Sequence, residues 1–461
     1  MVYFNEKYVQ IWKEEKVTLL INHYWKGVDF FRRNGFKCLY QKVTEKELKE
    51  IIKLSKDITE EEYNQIVCNI EDRLFNRLVK YNFLVERENV DGSIPCDYSI
   101  AGDNLAPYMK NIYGIDQIIS PTKVQFLLTY RCFGNCSFCL TNSTYCTEVN
   151  EITDCDWELV TKRVCNELNP CQIDLIGGEP LIRYEAVKRI CKIAVKKNVM
   201  IRIITNGVIL EDEKKCKGLA EILRGYRHYI QISIDGDEKI HNTIRPGAQY
   251  KRIMKAIENI SRENLYWGAN ITITKLNINT VSAVLDNIAI FNPVHFELGP
   301  IQTSVKDREM CKKLVIDKDE EEKLRKQLKE LKEEYPNIDI TYNKREKIFE
   351  TKELPLGNDR MYQMCSAFDK LLAVGADARL IPCLRGCVHP EFYAENVLEW
   401  RENLKLLWKC SKLRSVFQRI TLKNKCKNCN YNQQCNQGCP LETYVLTGDL
   451  GGYDPNCTYV P

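Results

Sequence analysis

Between residues 120 and 300 short β-branched runs alternate with amphipathic helical stretches, and this alternation restricts the fold more than any other feature. The predicted strands are Val124–Thr129, Gln172–Ile176, Met200–Thr205, Tyr229–Ile234, Ala269–Thr274 and Val294–Leu298. The predicted helices between them are Asp154–Leu168, Tyr184–Val195, Asp212–Leu223, Tyr250–Arg262 and Thr280–Ile290. Strands linked through helices make a parallel sheet, and such sheets carry their chemistry at the C-terminal strand ends. Periodicity leaves two forms open, a doubly wound sheet and a partial barrel.

The flanks differ in kind. Residues 1–118 read mainly as amphipathic helix, clearest at Glu45–Lys56 and from Thr59 to about Leu84, the latter opened by a cap-like Thr59 with Glu62 three residues on. Phe83–Arg87 reads as a strand, so a small winged-helix-like domain is expected; the alternative is a helical cap with no role of its own. Residues 305–360 contain DKDEEEKLRKQLKELKEEY, expected as a charged, solvated linker helix. From 361 to 461 periodicity fades into a loop-rich, cysteine-rich domain that needs staples.

Composition removes several classes. Lys plus Arg is 67 and Asp plus Glu is 63, a net charge of +4, which does not suit a nucleic-acid coat. No apolar run approaches the ~20 residues that span a bilayer. The start MVYFNEKYVQIWKEEK lacks the apolar core of a secretory signal, so a cytoplasmic location is expected. In that reducing compartment 22 cysteines point to metal rather than to disulfides.

Cys132, Cys136 and Cys139 form C-x3-C-x2-C in the loop after the first strand. Three thiolates hold three irons of a [4Fe–4S] cluster and leave the fourth open to a small molecule. Phe138 sits between the last two and can cover the cluster; a zinc site with a distant fourth ligand is the competing reading. Gly177, Gly178, Glu179 and Pro180 follow the second strand, where glycines let backbone approach a ligand and Glu179 adds a carboxylate or caps the next helix. Thr205-Asn206-Gly207 ends the third strand and Ser233-Ile234-Asp235-Gly236 the fourth, small polar residues suited to a ribose or carboxylate. Arg245, in HNTIRPG, suits a bidentate carboxylate pair or a surface salt bridge, and nearby His241 is the histidine to watch. In the C-terminal region Cys426-x2-Cys429-x5-Cys435-x3-Cys439 precedes Cys457 and follows Cys365 and Cys383. These seven cysteines nearly fill the positions of two four-cysteine clusters, with paired zinc ribbons as the alternative.

Taken together, these motifs resemble those of radical S-adenosylmethionine (SAM) enzymes with a C-terminal SPASM domain. The triad matches the superfamily's C-x3-C-x-Φ-C signature with Phe138 as Φ, and GGEP matches its SAM-amine motif. The C-terminal cysteines match the SPASM pattern except that Ala378 stands where the pattern has glycine. The resemblance covers about 120 to 461 and implies an α/β fold, a partial (β/α)6 radical SAM barrel over 119–304, with the winged-helix-like domain before it and SPASM over 361–461.

It further implies three [4Fe–4S] clusters and SAM. Cys132, Cys136 and Cys139 would hold the SAM-cleaving cluster. Gly177, Gly178 and Glu179 would line the SAM amine, Ser233 and Arg245 its carboxylate, and Thr205 and Asn206 its ribose. Cys365, Cys383 and Cys439 would serve an inner auxiliary cluster, and Cys426, Cys429, Cys435 and Cys457 an outer one. The inner cluster's fourth ligand is either Cys387 or an open position for a substrate thiolate. The implied activity is hydrogen abstraction from a ribosomally made precursor peptide bearing a leader, followed by a cross-link. A thioether is favoured over a carbon–carbon link or epimerisation. The implied electron donor is a flavodoxin or ferredoxin. A maturase of a larger protein such as a sulfatase is the nearest alternative. Against a sulfatase maturase, Leu384 and Arg385 rather than Asp follow Cys383 and about 120 residues precede the triad. A winged-helix, zinc-ribbon DNA-binding regulator is the alternative from another class.

Overall fold

The computed structural model describes residues 1–6, 9–14, 17–22, 40–55, 57–86, 120–136, 138–141, 150–301, 308–342, 365, 367–368, 370–418, 420–421, 423–429 and 438–452. The N-terminal region opens with β1 (Val2–Phe4), β2 (Val9–Glu14), β3 (Val17–Asn22) and β4 (Tyr40–Val43). Strands β2, β3 and β4 form an antiparallel sheet in that order. These strands correct the helix-dominated expectation. β2 and β3 are separated only by Glu15 and Lys16, which carry none of the Gly, Asn or Asp signals that advertise a hairpin.

Three helices follow at Glu45–Ile51, Glu60–Cys68 and Asp72–Lys80. The predicted Thr59 cap is present as a capping box with Glu62. The single helix expected to run on to Leu84 is instead two, divided at Asn69–Glu71. Strand β5 (Leu84–Glu86) pairs antiparallel with β1 and ties the two ends of the unit together. Leu19, Leu20, Ile21, Ile51, Leu74, Leu78 and Phe83 fill its core.

The unit is docked on the floor of the central sheet. Asn198, at a φ of 54° after the helix Tyr184–Lys196, donates its side-chain amide to Glu6 O and Val9 O, both at 2.9 Å. Asn169, also left-handed, donates to Ile11 O at 3.3 Å, and Gln10 returns a bond to Pro170 O at 2.7 Å.

The central sheet contains β6 (Lys123–Leu127), β7 (Gln172–Ile176), β8 (Met200–Thr205), β9 (His228–Ser233), β10 (Trp267–Ile273), β11 (His295–Pro300), β12 (Asp339–Tyr342), β13 (Leu371–Val374) and β14 (Leu380–Ile381). Its order is β12-β11-β10-β9-β8-β7-β6-β13-β14, parallel except for the last pair. The six predicted strands are β6 to β11. β12 and β14 are the two edges, so the barrel is partial. Val124, Phe126, Ile173, Leu175, Ile201, Ile203, Ile230 and Ile232 belong to the main core with the helices. Alternate residues turn the other way. There Gln125 donates to Asp174, Arg202 to Gln231 and Gln231 to Glu297, which gives the barrel a polar interior.

Residues 305–360 are more than a solvated linker. The helix Lys318–Glu334 buries Leu324, Leu328 and Leu331, and β12 adds a seventh parallel strand beside β11. A stripe of three leucines is enough to seat a helix whose other faces are charged. On the opposite edge β13 pairs parallel with β6, so the C-terminal region continues the sheet. In its turn Ala378 adopts a φ of 65°, keeping the left-handed conformation usually left to glycine.

Candidate active site

The polar ends of β6 to β9 meet at the mouth of the barrel. Tyr130 N–H and the Thr129 hydroxyl both donate to Glu151 Oε1, at 2.9 and 2.6 Å, which steers the chain from β6 into the cysteine loop. Two thiols converge around Gly134: a Cβ built there would lie 3.5 Å from Cys136 Sγ and 3.8 Å from Cys132 Sγ. Cys139 Sγ is 3.2 Å from Thr141 Oγ1. Burial pushes the Cys132 thiol up to about 12. Burial also raises Cys136, while the Arg245 guanidinium pulls it back. Phe138 is buried with Ile244 and Cys311.

Gly177 and Gly178 are required by backbone packing. A Cβ on Gly177 would fall 2.6 Å from Thr129 O, and one on Gly178 2.5 Å from Tyr130 O. Gly178 N–H donates to Thr129 O at 2.7 Å and Glu179 N–H to Arg131 O at 2.8 Å, so this turn is stitched to the segment entering the cysteine loop. Glu179 takes the predicted capping part. It caps the short helix Pro180–Arg183 through Leu181 N–H at 3.0 Å, and it accepts from the Thr205 hydroxyl at 2.6 Å and Asn206 N–H at 2.8 Å. Burial raises its carboxyl to about 7 against the pull of these donors. Asn206 Nδ2 lies 4.0 Å from Cys132 Sγ, joining the end of β8 to the cysteine loop. Ser233 is half-buried at the last position of β9, opposite Asn270.

Arg245 is no surface ion. Its Nε donates to Asp235, which is fully buried, and its guanidinium carbon lies 5.6 Å from the Phe138 ring centroid. Burial works against its charge most, but the Asp235 carboxylate together with the Cys136 and Cys139 sulfurs holds it above its usual range. Motif spacing did not single out Glu151 and gave Asp235 only as part of a polar strand end, not as the partner of Arg245; the Pro-Gly after Arg245 was the available signal that a turn folds back here.

Among the C-terminal cysteines, Cys365, Cys383 and Cys439 are half-buried and pack at the margin of the main core. Burial pushes Cys383 up to about 11, and Cys439 adds to the shift, so these two thiols are neighbours. Cys387, in the short helix Leu384–Val388 that Cys383 caps, is buried among Leu127, Tyr130, Ile176, Ala373, Ala376 and Ile381. Its carbonyl accepts from Tyr393, whose hydroxyl is 2.9 Å from that of Tyr130. Cys426 and Cys429 flank one turn, and Cys435 and Cys457 lie outside the described residues.

The first loop's donor set fits an iron–sulfur cluster: three half-buried thiols on one irregular loop, with polar strand ends at hand for a small ligand. Among the described residues no three His, Cys, Asp or Glu side chains gather to hold a single metal ion.

Residues 126–288 match the sequence model of the Radical SAM superfamily. With the sheet and its cysteine loop, the chain thus contains a radical SAM domain. It is 22% identical over 347 residues to PqqA peptide cyclase of Bradyrhizobium diazoefficiens, covering 74% of this chain and 87% of that one. It is 27% identical over 202 residues to the sporulation killing factor maturation protein SkfB of Bacillus subtilis, covering 43% and 47%. Its fold matches Streptococcus suis SuiB bound to precursor peptide SuiA with a TM-score of 0.69 at 15% identity, over 100% of both chains. It also matches anSMEcpe with bound AdoMet at a TM-score of 0.53 and 19% identity, over 70% of this chain and 90% of that one.

Proposed function

We propose that this enzyme is a peptide maturase that takes a hydrogen atom from a ribosomally made precursor peptide and installs a cross-link. The observation that carries the proposal is the convergence of the Cys132–Cys139 loop, Glu179, Asn206 and Arg245 at one barrel mouth. The similarity to PqqA peptide cyclase supports the substrate class. Cys132, Cys136 and Cys139 would hold the catalytic cluster. Gly177, Gly178 and Glu179 would face the SAM amine, Ser233 and Arg245 the carboxylate, and Thr205 and Asn206 the ribose. Bound there, cluster and SAM supply the 5′-deoxyadenosyl radical. The protein positions SAM, packs Phe138 over the site and excludes water.

Residues 361–461 would form a SPASM domain. Cys365, Cys383 and Cys439 would hold an inner auxiliary cluster, and Cys426, Cys429, Cys435 and Cys457 an outer one, three clusters in all. Either Cys387 completes the inner cluster or that cluster keeps an open position for a substrate thiolate, the case that favours a thioether. The N-terminal unit, residues 1–118, would bind the leader. One edge of its sheet, β2, is fastened to the barrel through Ile11 and Val9, and among the described residues the edge left for an added strand is β4. A flavodoxin or ferredoxin in the cytoplasm would supply electrons. Among the described residues no helix is long and apolar enough to cross a membrane.

The test is anaerobic reconstitution, reduction and addition of SAM, with 5′-deoxyadenosine read by mass spectrometry. The wild type is expected to form it. Replacing Cys132, Cys136 and Cys139 together by Ala is expected to abolish it while auxiliary iron stays. Product from the triple variant refutes the assignment.

A further inference from the structure

The loop from Cys132 to Cys139 contains no helix or strand among its described residues. Two bonds within it are long: Cys139 N–H to Cys136 O at 3.3 Å and Gly134 N–H to Cys132 Sγ at 3.4 Å. Thiols that must meet three irons of a preformed cluster need a loop held by its surroundings.

Three consecutive residues touch that loop from outside. Arg245 lies over Phe138, 5.6 Å from its centroid. Pro246 O accepts Asn135 N–H at 3.0 Å. Gly247, at a φ of 96°, faces Phe133 O so closely that a Cβ would overlap it. This tripeptide is itself pinned at both ends. Asp235, fully buried, accepts from Arg245 Nε and, through Oδ1, from Thr272 N–H at 2.8 Å. Asn277 Nδ2 holds the Asp235 carbonyl at 3.0 Å. His241, also fully buried, accepts Asp235 N–H at Nδ1, 3.0 Å, and donates from Nε2 to Ala248 O, 2.9 Å, just beyond Gly247.

We propose that Arg245–Pro246–Gly247, pinned by Asp235 and His241, is a clamp that holds the Cys132–Cys139 loop in its cluster-binding shape. Asp235, His241 and Gly247 are then positioning residues, in addition to any contact Arg245 makes with SAM. The inference rests on the assignment of the first cluster to this loop.

Iron content per chain of the full-length, anaerobically reconstituted protein reads the clamp without any turnover. Replacing Cys132, Cys136 and Cys139 by Ala sets the scale, a loss of about four irons. Gly247→Ala drives a methyl into Phe133 O and is expected to lose the same four. Gly225→Ala is the control: its φ of 84° imposes a like backbone strain, but no atom lies within 4 Å of the added methyl. It is expected to keep all the iron. Gly247→Ala loading like wild type, or both glycine variants losing iron alike, overturns the clamp. A triple-cysteine variant that keeps wild-type iron removes the cluster assignment on which it rests. Should Gly247→Ala fail to fold, Asp235→Asn tests the same device, since Asn keeps the size and one carbonyl acceptor. It is expected to load fully and to release the four irons to a chelator at least tenfold faster than wild type. Release at the wild-type rate overturns the clamp.

Discussion

Arg163 joins the barrel to the C-terminal region, and its removal is expected to loosen one well-defined segment. Its Nη1 donates to Val397 O and Trp400 O, and its Nη2 to Glu402 O, all at 2.7 Å. Nε and Nη2 also meet the two oxygens of Glu167 at 2.9 and 3.3 Å. A guanidinium has five N–H groups, and these contacts use all of them. Glu167 Oε2 in turn accepts Leu404 N–H at 2.6 Å, at the start of the helix Leu404–Cys410.

In Arg163→Met the stem still packs, but three carbonyls lose a charged donor. Such bonds contribute about 1.5–3 kcal/mol each when buried. Here the side chain is 17% exposed and water replaces part of the loss, so about 1 kcal/mol each, or about 3 kcal/mol together, is the working figure. That corresponds to about a hundredfold. Native-state hydrogen exchange over residues 397–410 is expected to accelerate by this factor, with β6 to β9 unchanged as the internal reference. Arg163→Lys, with three donors and no planar fork, is expected to fall between. Acceleration below about threefold in Arg163→Met refutes the argument that these bonds hold the joint.

Three further outcomes follow from single residues. Glu179 keeps its proton to about 7 in the fold against an ordinary 4.5, so the native state binds more protons than the unfolded chain between those values. Stability should therefore fall as pH rises through that window, by at most about 3 kcal/mol, and Glu179→Gln should flatten the change in urea midpoint between pH 5 and 7.5. His241 has the opposite sign: burial, with the Arg245 charge second, lowers it to about 4, so its contribution is lost as pH falls below 6.5. Histidine nitrogen shifts should report a neutral Nε2–H ring at pH 5.5, and an imidazolium there contradicts the clamp geometry. Asn198→Gly keeps the left-handed backbone but removes two bonds to the N-terminal unit, about 2 kcal/mol in sum, so proteolysis within residues 1–86 should quicken about thirtyfold. An unchanged rate assigns the docking to other contacts.

The barrel and the candidate ligands were legible because each signal is local. β6 to β11 are short apolar runs between helical periods, and each motif starts at the end of its strand or within five residues of it. β12 was hidden because Asp339–Tyr342 is a run of four residues behind a helix whose charge suggested a solvated linker. The sheet β2-β3-β4 was hidden by a connection without turn residues and by the two lysines and the glutamate among its strands. Arg245 reads as a surface ion because its partner, Asp235, stands ten residues away and looks like part of a loop motif. Arg163 and Glu167 read as an ordinary i,i+4 pair on a helix face, since nothing near them in sequence announces the carbonyls of Val397, Trp400 and Glu402.

Those hidden joints share one chemistry, and it explains why motif reading missed them together. Arg163 grips the C-terminal region through three backbone carbonyls. Asn198 and Asn169 grip β2 and its approach through Glu6, Val9 and Ile11 carbonyls. A side chain that reads a backbone group asks nothing of the side chain at that position, so no residue type in the docked segment betrays the contact. The same property makes the attachments tolerant. Substitutions at Val397 or Val9 that preserve the chain path leave the bond in place, whereas losing Arg163 or Asn198 removes several at once. Sensitivity to mutation is therefore expected on the barrel side of each joint.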